Sequence, residues 1–426
     1  MSVLSGGYER RMLAIPVGGN LPIADRRRIS SQPAMPYRSG RHFLQLPGPT
    51  NTPDEVLRAI SKSTIDHRGP DFSELTLELL PALRRLFKTE HSVFVFPASG
   101  SGGWECALVN TLSPGDGVVA FRQGFFAEGW AAVARRYGLE VWLEPWDPRR
   151  GLTSEAVMEV LGTDDERRIK AVLVVHNETS TGVTTDVGRI GRALAESGHP
   201  ALLLVDAVSS LGAMDLRHDE WHVDVTLSGS QKGIMLPPGL CVLAAGPRAM
   251  EAHRAARLPR SYWDWTAQLD FNAKGFFPYT PATNLLYGLA RALSMLEEEG
   301  LDNVFLRHMS LSAATRAAVD AWGLELFALD RREASSSLTA VGVPEGQDAD
   351  ALRATILDRF DMSLGAGLGD FKGRLFRIGH LGDLNALTLL GALAGVEMGL
   401  SLAGVPHRPG GVRAAMDYLT REEITP

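Results

Sequence analysis

The fold is indicated most clearly by the segment LLLVDAVSS at residues 202–210. Its uninterrupted apolar start suits a strand that is covered on both faces. Asp206 follows that strand, and ligands of open α/β sheets bind at the carboxyl ends of the strands. A buried carboxylate is costly unless it is paired, but an aspartate here could also cap the next turn. The segment therefore predicts an α/β fold and leaves the role of Asp206 open.

Similar apolar runs flank this segment, and they extend the prediction to most of the chain. Helical patterns separate the runs, which indicates crossover connections and a largely parallel sheet. Beyond Gly300, a second set of strand and helix patterns predicts a smaller C-terminal α/β domain. We expect a large domain over residues 42–299 and a small domain over residues 300–426. Together with the run of the first segment, the apolar runs lie at residues 92–96, 118–120, 171–175, 201–205 and 240–244.

Residues 1–41 differ in composition from the rest, being rich in Arg, Gly, Ser and Pro. They lack the continuous apolar segment of a secretory signal. Few acids and many arginines would suit a transit peptide, but Pro and Gly interrupt any amphipathic helix. We therefore expect a disordered N-terminal extension.

Composition narrows the class of protein. The 426 residues include 43 basic and 50 acidic side chains, a net charge of −7 that gives no reason to expect nucleic acid as a partner. No apolar run is long enough to cross a membrane. The two cysteines, Cys106 and Cys241, are too few for a disulfide framework or a cysteine-rich zinc site. We expect packed core thiols, no metal and a cytoplasmic protein.

A glycine-rich turn precedes a helical pattern in the segment FPASGSGGWE at residues 96–105. Backbone N–H groups and the helix dipole make such a turn a good anion site, to which the Ser99 and Ser101 hydroxyls could add donors. Glu105 occupies the position of the third glycine in the dinucleotide fingerprint, and the Gly-Lys pair of a Walker loop is missing. Taken alone, the turn fits tight strand–helix packing at least as well as phosphate binding.

Two basic residues stand in unusual settings. Lys232 lies in a turn rich in glycine and hydroxyl groups, where desolvation could make its amine a nucleophile, although most lysines are solvated surface groups. Arg377 lies in a short apolar run and needs an anionic partner, either a ligand or an internal carboxylate. Pyridoxal phosphate would use an amine for its aldehyde, donors for its phosphate and an anion for its ring nitrogen. An amino-acid substrate would use the arginine.

The sequence resembles the class V aminotransferases of pyridoxal phosphate fold type I, in particular the serine–glyoxylate and alanine–glyoxylate group. The resemblance extends from about residue 41 to residue 418 and rests on several blocks in the order of the family. These blocks are LPGPTN at 46–51, DHRGP at 66–70, SGSG at 99–102, HNETSTGV at 176–183, SGSQKG at 228–233, FPYTP at 277–281 and FRIGHLGDLN at 376–385.

The resemblance implies a large domain with a mostly parallel seven-stranded sheet, and it assigns roles by matching position. Lys232 would hold the cofactor and move protons, and Asp206 would pair with the ring nitrogen. Arg377 would bind the α-carboxylate of the substrate. The other implied contacts are Ser99, Gly100, Ser101 and Gln231 on the phosphate, Phe126 stacked on the ring, Thr179 on its hydroxyl side, Pro47 and Gly48 over the substrate, and Thr280 on the phosphate of a neighbouring subunit.

The resemblance also implies the reaction, which is transamination from L-serine to glyoxylate by a homodimer. Aspartate and alanine are alternative donors, because all three share the α-carboxylate contact. A β-lyase, a desulfurase or a non-catalytic cofactor-binding protein would share the fold. One departure from the wider family is Phe277, which stands where many relatives have a tyrosine that donates to the phosphate. A serine hydrolase is disfavoured because the turn at Ser101 does not supply the Gly-x-Ser-x-Gly elbow.

Overall fold

The computed structural model describes residues 39–421. Along the chain the elements are β1 (Phe43–Gln45), α1 (Asp54–Ile60), α2 (Pro70–Phe87), β2 (Ser92–Ala98), α3 (Gly100–Thr111), β3 (Gly117–Phe121), α4 (Phe125–Arg136), β4 (Glu140–Glu144), α5 (Ser154–Gly162), β5 (Ile169–Val175), β6 (Asn177–Glu178), β7 (Val183–Thr184), α6 (Val187–Ser197), β8 (Leu202–Asp206), β9 (Val225–Gly229), β10 (Gly239–Ala245), α7 (Pro247–Ala255), α8 (Trp265–Asn272), α9 (Thr283–Glu299), α10 (Leu301–Trp322), β11 (Glu325–Leu326), β12 (Leu338–Gly342), α11 (Ala349–Phe360), β13 (Met362–Ala366), β14 (Leu375–Gly379), α12 (Ala386–Leu402) and α13 (Gly411–Leu419).

A seven-stranded sheet in the order β2-β10-β9-β8-β5-β3-β4 carries the larger part of the core. Strand β10 is antiparallel to both its neighbours, and the other adjacent pairs are parallel. Every residue of β3, β8 and β9 is buried, as expected for strands with helices on both faces. This sheet confirms the predicted α/β fold class, mostly parallel and seven-stranded.

A second sheet has five strands in the order β1-β13-β14-β12-β11. Its core includes Phe376 and Ile378 of β14, packed with Leu352 of α11 and Leu389 of α12. Strand β1 comes from the start of the described chain and pairs in parallel with β13. The chain then passes from this sheet to the large one through residues 46–51. The division into domains at residues 299 and 300 stays a prediction.

The helix bounds agree with the sequence patterns at most positions. Helix α9 ends at Glu299, and α1 begins directly after Pro53. Helix α3 begins at Gly100, so the glycine-rich turn that the sequence places before a helical pattern is itself the first turn of the helix. The extension predicted over residues 1–41 lies outside the described residues, except for residues 39–41.

No helix within residues 39–421 is long and apolar enough to span a bilayer. The same residues contain no group of three or more His, Cys, Asp or Glu side chains placed to hold a metal ion.

Candidate active site

Three of the residues singled out from the sequence lie at the carboxyl edge of the large sheet. Ser99 follows β2, Asp206 is the last residue of β8, and Lys232 lies in the turn after β9. This is the edge at which parallel α/β sheets bind ligands. The loop at residues 46–51 reaches the same place, since the Thr50 N–H donates to the Gln231 carbonyl oxygen at 3.1 Å and its hydroxyl to the Lys232 carbonyl oxygen at 3.1 Å.

Lys232 is buried, with 9% of its surface exposed. Its Nζ donates a hydrogen bond to the carbonyl oxygen of Pro47 at 2.5 Å. Burial lowers the pKa of Lys232 to about 8, and the nearby Arg377 charge adds to this effect while Asp206 opposes it. A lysine with this pKa is partly neutral near physiological pH, so its amine can act as a nucleophile or a base.

Gly48 allows the loop to approach this lysine. Its φ of +114° is a conformation that favours glycine, and a Cβ at this position would collide with the Lys232 side chain. The structure therefore brings Pro47 and Gly48 against Lys232, where the sequence predicted a loop over the substrate.

Asp206 is fixed by a donor on each carboxylate oxygen. The Val208 N–H donates to Oδ1 at 2.8 Å, and the Trp104 indole Nε1–H donates to Oδ2 at 2.6 Å. Burial raises the pKa of Asp206 to about 6, while these two hydrogen bonds and the Lys232 charge oppose the rise. The group is therefore mainly anionic at neutral pH, as the partner of a protonated ring nitrogen must be.

The glycine-rich turn forms the N-terminus of α3. Ser99 is the N-cap residue, and its side chain does not cap the helix. Its carbonyl oxygen accepts from the Gly102 and Gly103 N–H groups, so within the described residues the N–H groups of Gly100 and Ser101 are the ones left for a ligand. A Cβ built on Gly229 would lie 3.3 Å from the Gly100 nitrogen and 2.9 Å from Gln231 Oε1, so both groups border one small space. Gln231 Oε1 is buried and has no hydrogen-bond partner within residues 39–421. The helix N-terminus and the serine hydroxyls supply donors that suit a phosphate. Gln231 would add a donor by turning its amide so that Nε2, and not Oε1, faces the same space.

Arg377 lies on β14 and is 7% exposed. Its Nε donates to the Ala366 carbonyl oxygen and its Nη1 to the Thr179 carbonyl oxygen, both at 2.8 Å. Burial lowers the pKa of Arg377 to about 10, and the buried Glu178 opposes the shift. Within the described chain it forms hydrogen bonds only to backbone carbonyls, so the internal ion pair considered from sequence is not found. The remaining guanidinium donors can receive a substrate carboxylate.

The other predicted residues occupy different settings. Thr179 is buried, and its hydroxyl donates to Ser209 Oγ at 2.7 Å. Phe126 lies on α4, edge-on to Trp104 with ring centroids 6.5 Å apart. Thr280 is exposed in the loop before α9, and within residues 39–421 no hydrogen bond joins it to the other site residues.

Phe277 differs from these residues, because it is buried in a core cluster between helices. Its ring packs edge-on against Phe72 of α2 with centroids 6.0 Å apart. This position is filled by apolar packing, which explains why it carries a phenyl ring and no hydroxyl.

Sequence reasoning missed two polar contacts of the site. The first is Trp104, which donates to Asp206 across 102 positions of sequence. The second is Glu178, which is 1% exposed and accepts from the Ser180 hydroxyl at 2.6 Å and the Ala127 N–H at 3.1 Å. Its carboxylate thus satisfies donors at the start of α4. Only the adjacency of Trp104 to the glycine turn could have drawn attention to the first of them.

Both cysteines are buried, as predicted. Burial raises the pKa of Cys106 to about 12 and that of Cys241 well above its ordinary value. Thiols with such pKa values stay protonated and unreactive at neutral pH. This finding argues against a desulfurase, which needs an accessible cysteine nucleophile.

The donor set fits pyridoxal phosphate at each point of its structure. The buried amine of Lys232 suits the aldehyde, the α3 N-terminus with Gln231 suits the phosphate, and Asp206 suits the ring nitrogen. Arg377 adds a buried cation for a carboxylate. The fold and the site therefore define a pyridoxal-phosphate-dependent enzyme of fold type I.

Comparison with known proteins specifies the family. The profile of the family Aminotransferase class-V matches residues 42–368. The chain is 49% identical to the serine–glyoxylate aminotransferase of Methylorubrum extorquens, over 91% of this chain and 98% of that protein. It is 45% identical to the L-aspartate–glyoxylate aminotransferase of Paracoccus denitrificans, over 88% and 95%. The crystal structure of ureidoglycine–glyoxylate aminotransferase from Bacillus subtilis superposes with a TM-score of 0.85 at 27% identity, over 91% and 100%. The chain belongs to the class V aminotransferases.

Proposed function

We propose that this aminotransferase transfers the amino group of L-serine to glyoxylate, producing hydroxypyruvate and glycine. The observation that carries the amino-acid chemistry is Arg377, a buried guanidinium bonded only to backbone carbonyls within the described chain and close enough to Lys232 to lower its pKa. A carboxylate bound there places the neighbouring Cα near the amine. Three similar proteins named above share glyoxylate in their names, which supports glyoxylate as acceptor.

Each residue of the site has a part in this proposal. Arg377 binds the α-carboxylate of donor and acceptor in turn, by paired N–H donors. Lys232 holds the cofactor between turnovers. When released, its amine removes the proton from Cα and delivers a proton to C4′ of the cofactor. Its pKa of about 8 suits both tasks, since a base works best when its pKa is near the working pH.

The remaining residues hold the cofactor. Pyridoxal phosphate, when bound, supplies an electron sink for the charge left at Cα. Asp206 keeps the ring nitrogen protonated, and Phe126 stacks on the ring. Thr179 forms a hydrogen bond on the side of the ring hydroxyl. Phosphate binding falls to Ser99, Gly100, Ser101 and Gln231, and the substrate is covered by Pro47 and Gly48.

Serine is proposed as donor because the similar protein with 49% identity carries that name. L-Aspartate is the second candidate, because a relative at 45% identity is named for it. Its second carboxylate would need a cation besides Arg377 in the pocket, whereas the hydroxymethyl group of serine would not. The methyl group of alanine would also need no such cation.

We also propose a cytoplasmic homodimer. Thr280 is exposed and has no hydrogen bond to the other site residues within residues 39–421, which fits a role at the site of a neighbouring subunit. Two buried free thiols fit a reducing compartment. Sedimentation of the purified chain tests the dimer, and Thr280→Val tests the shared site through its affinity for pyridoxal phosphate.

The donor is tested by the visible absorbance of the purified protein loaded with pyridoxal phosphate. L-Serine, L-alanine and L-aspartate are added separately, with no acceptor present. We expect L-serine to bleach the long-wavelength band and glyoxylate to restore it. Bleaching by L-aspartate or L-alanine alone would replace serine as donor. A band that no donor changes would contradict transamination from these amino acids.

A further inference from the structure

Trp104 makes the shortest hydrogen bond to the carboxylate of Asp206. Its indole Nε1–H donates to Oδ2 at 2.6 Å, compared with 2.8 Å from the Val208 N–H to Oδ1. The indole is 7% exposed, so this hydrogen bond is shielded from water. With a donor on each oxygen, the carboxylate cannot rotate without breaking one of them.

The same indole is in contact with two other parts of the site. It packs edge-on against Phe126, the ring proposed to stack on the cofactor, with centroids 6.5 Å apart and planes at 62°. It also belongs to α3, whose N-terminus at Gly100 borders the space assigned to the phosphate. Its other face stacks on Trp130 at 6.3 Å and 15°. Trp104 therefore contacts Asp206 and Phe126 and belongs to the helix whose N-terminus borders the phosphate space.

We propose that Trp104 is a positioning residue for pyridoxal phosphate, whose indole N–H keeps the Asp206 carboxylate ionised and oriented toward the ring nitrogen. The proposal rests on the role of Asp206 in the proposed function. Trp104 contacts Asp206 and Phe126 and would act on the cofactor through these two residues.

The electrostatic surroundings of Asp206 make this donor important. Two charges act on Asp206, because Lys232 after β9 attracts its negative charge and Glu178 of β6 repels it. The thiol of Cys241 on β10 adds no charge, because burial raises its own pKa. Burial already raises the pKa of Asp206 to about 6 against the two hydrogen bonds. Loss of the indole donor should raise it by about one to two further units, the equivalent of one hydrogen bond to a charged group.

Trp104→Phe tests the proposal, with Trp130→Phe as its matched control. Both substitutions remove an indole from the same aromatic stack. Trp130 is fully buried, but its Nε1 has no hydrogen-bond partner within residues 39–421. The affinity of each full-length protein for pyridoxal phosphate is measured from pH 5.5 to pH 8.5. The free ligand titrates identically in every case, so differences between variants report on the protein.

In the wild type, affinity should fall as pH falls through about 6, because protonated Asp206 no longer attracts the ring nitrogen. In Trp104→Phe the fall should occur about one to two pH units higher, which makes binding at pH 7 about two- to tenfold weaker. Trp130→Phe should follow the wild-type profile. Equal, pH-independent losses in both variants would show a packing role and overturn the proposal, as would a wild-type profile in Trp104→Phe.

A spectroscopic readout separates this proposal from the function on which it rests. The ¹⁵N resonance of the ring nitrogen in labelled, bound pyridoxal phosphate reports its protonation. We expect a protonated ring in the wild type and a shift toward the unprotonated value in Trp104→Phe. A wild-type protein that binds no cofactor, or holds an unprotonated ring, would refute the role of Asp206 itself. A protonated ring in both proteins would refute only the role of Trp104.

If Trp104→Phe fails to fold, the wild-type chain still decides the question. The indole ¹⁵N–H resonance of Trp104 should move with pH around the titration of Asp206, and it should not move in Asp206→Asn. The Trp130 resonance should stay still in both. A Trp104 resonance that does not follow pH in the wild type would overturn the proposal.

Discussion

The Nζ atom of Lys232 lies 2.5 Å from the carbonyl oxygen of Pro47, to which it donates a hydrogen bond. This contact joins the loop that leaves β1 in the small sheet to the lysine that follows β9 in the large one. It depends on Gly48, because a Cβ there would occupy the space of the lysine side chain.

Gly48→Ala should therefore impair both folding and turnover. Strained backbone of this kind costs about 1–3 kcal/mol, and the new methyl group displaces Lys232. We expect turnover to fall by about 10²-fold, because a displacement of the reacting amine by about 1 Å is enough for such a loss. Gly162→Ala is the control, since a Cβ on Gly162 meets no atom within 4 Å. Steady-state kinetics that are equal for the two variants would contradict the close approach of the loop.

Arg377→Lys should weaken the binding of donor and acceptor alike. Lysine keeps the charge but loses the paired N–H geometry, so we expect KM for both substrates to rise by about 10–100-fold. The visible spectrum of the bound cofactor should be unchanged. Arg353→Lys is the control, because Arg353 already has Asp350 as its partner at 2.8 Å. Unchanged KM values in Arg377→Lys would remove Arg377 from the substrate site.

Cofactor uptake should depend on pH through Lys232. Only the neutral amine can attack the aldehyde, and burial lowers the pKa of this amine to about 8. The rate of uptake by the cofactor-free protein should therefore rise with pH, with a midpoint near 8, and level off above it. Stopped-flow absorbance after mixing with pyridoxal phosphate measures this rate. A midpoint near 10 would mean that the amine is solvated and not buried as described.

The two thiols should not react in the native protein. Cys106 and Cys241 are both fully buried, and burial raises the pKa of each. A disulfide reagent should modify both only after unfolding in guanidinium, and L-cysteine should yield no sulfide. Rapid modification of the native chain, or sulfide release, would reopen the desulfurase alternative.

Much of the fold could be predicted, because fully buried parallel strands have continuous apolar runs in their sequence. Strand β9 escaped that pattern, since Thr226 and Ser228 interrupt it. Both are buried, and each is satisfied by a distant partner: Thr226 Oγ1 lies 2.8 Å from His218 Nδ1, and Ser228 donates to the Ala207 carbonyl oxygen at 3.1 Å. Strand β4 lies at the sheet edge, where glutamates at both ends hide its apolar character.

The site was predictable where its chemistry is local. The motif around Lys232, the aspartate after a buried strand and the glycine turn are each visible in a few residues. Contacts between segments that are distant in sequence could not be predicted. Examples are the contact of Trp104 with Asp206 and that of Arg377 with the Thr179 carbonyl oxygen. Pairings of this kind depend on tertiary packing, which no local pattern records.

Lys232 is the residue proposed to hold the cofactor, and peptide mapping can locate the attached group. Borohydride reduction of the loaded protein fixes the cofactor to the amine that carries it, and mass spectrometry then locates the added mass. We expect it on the peptide containing Lys232. Lys232→Ala should show no such label and should lose turnover by about a thousand-fold or more, since general base catalysis alone contributes about 10²–10⁴-fold. A label on another lysine, or full activity in Lys232→Ala, would contradict the account.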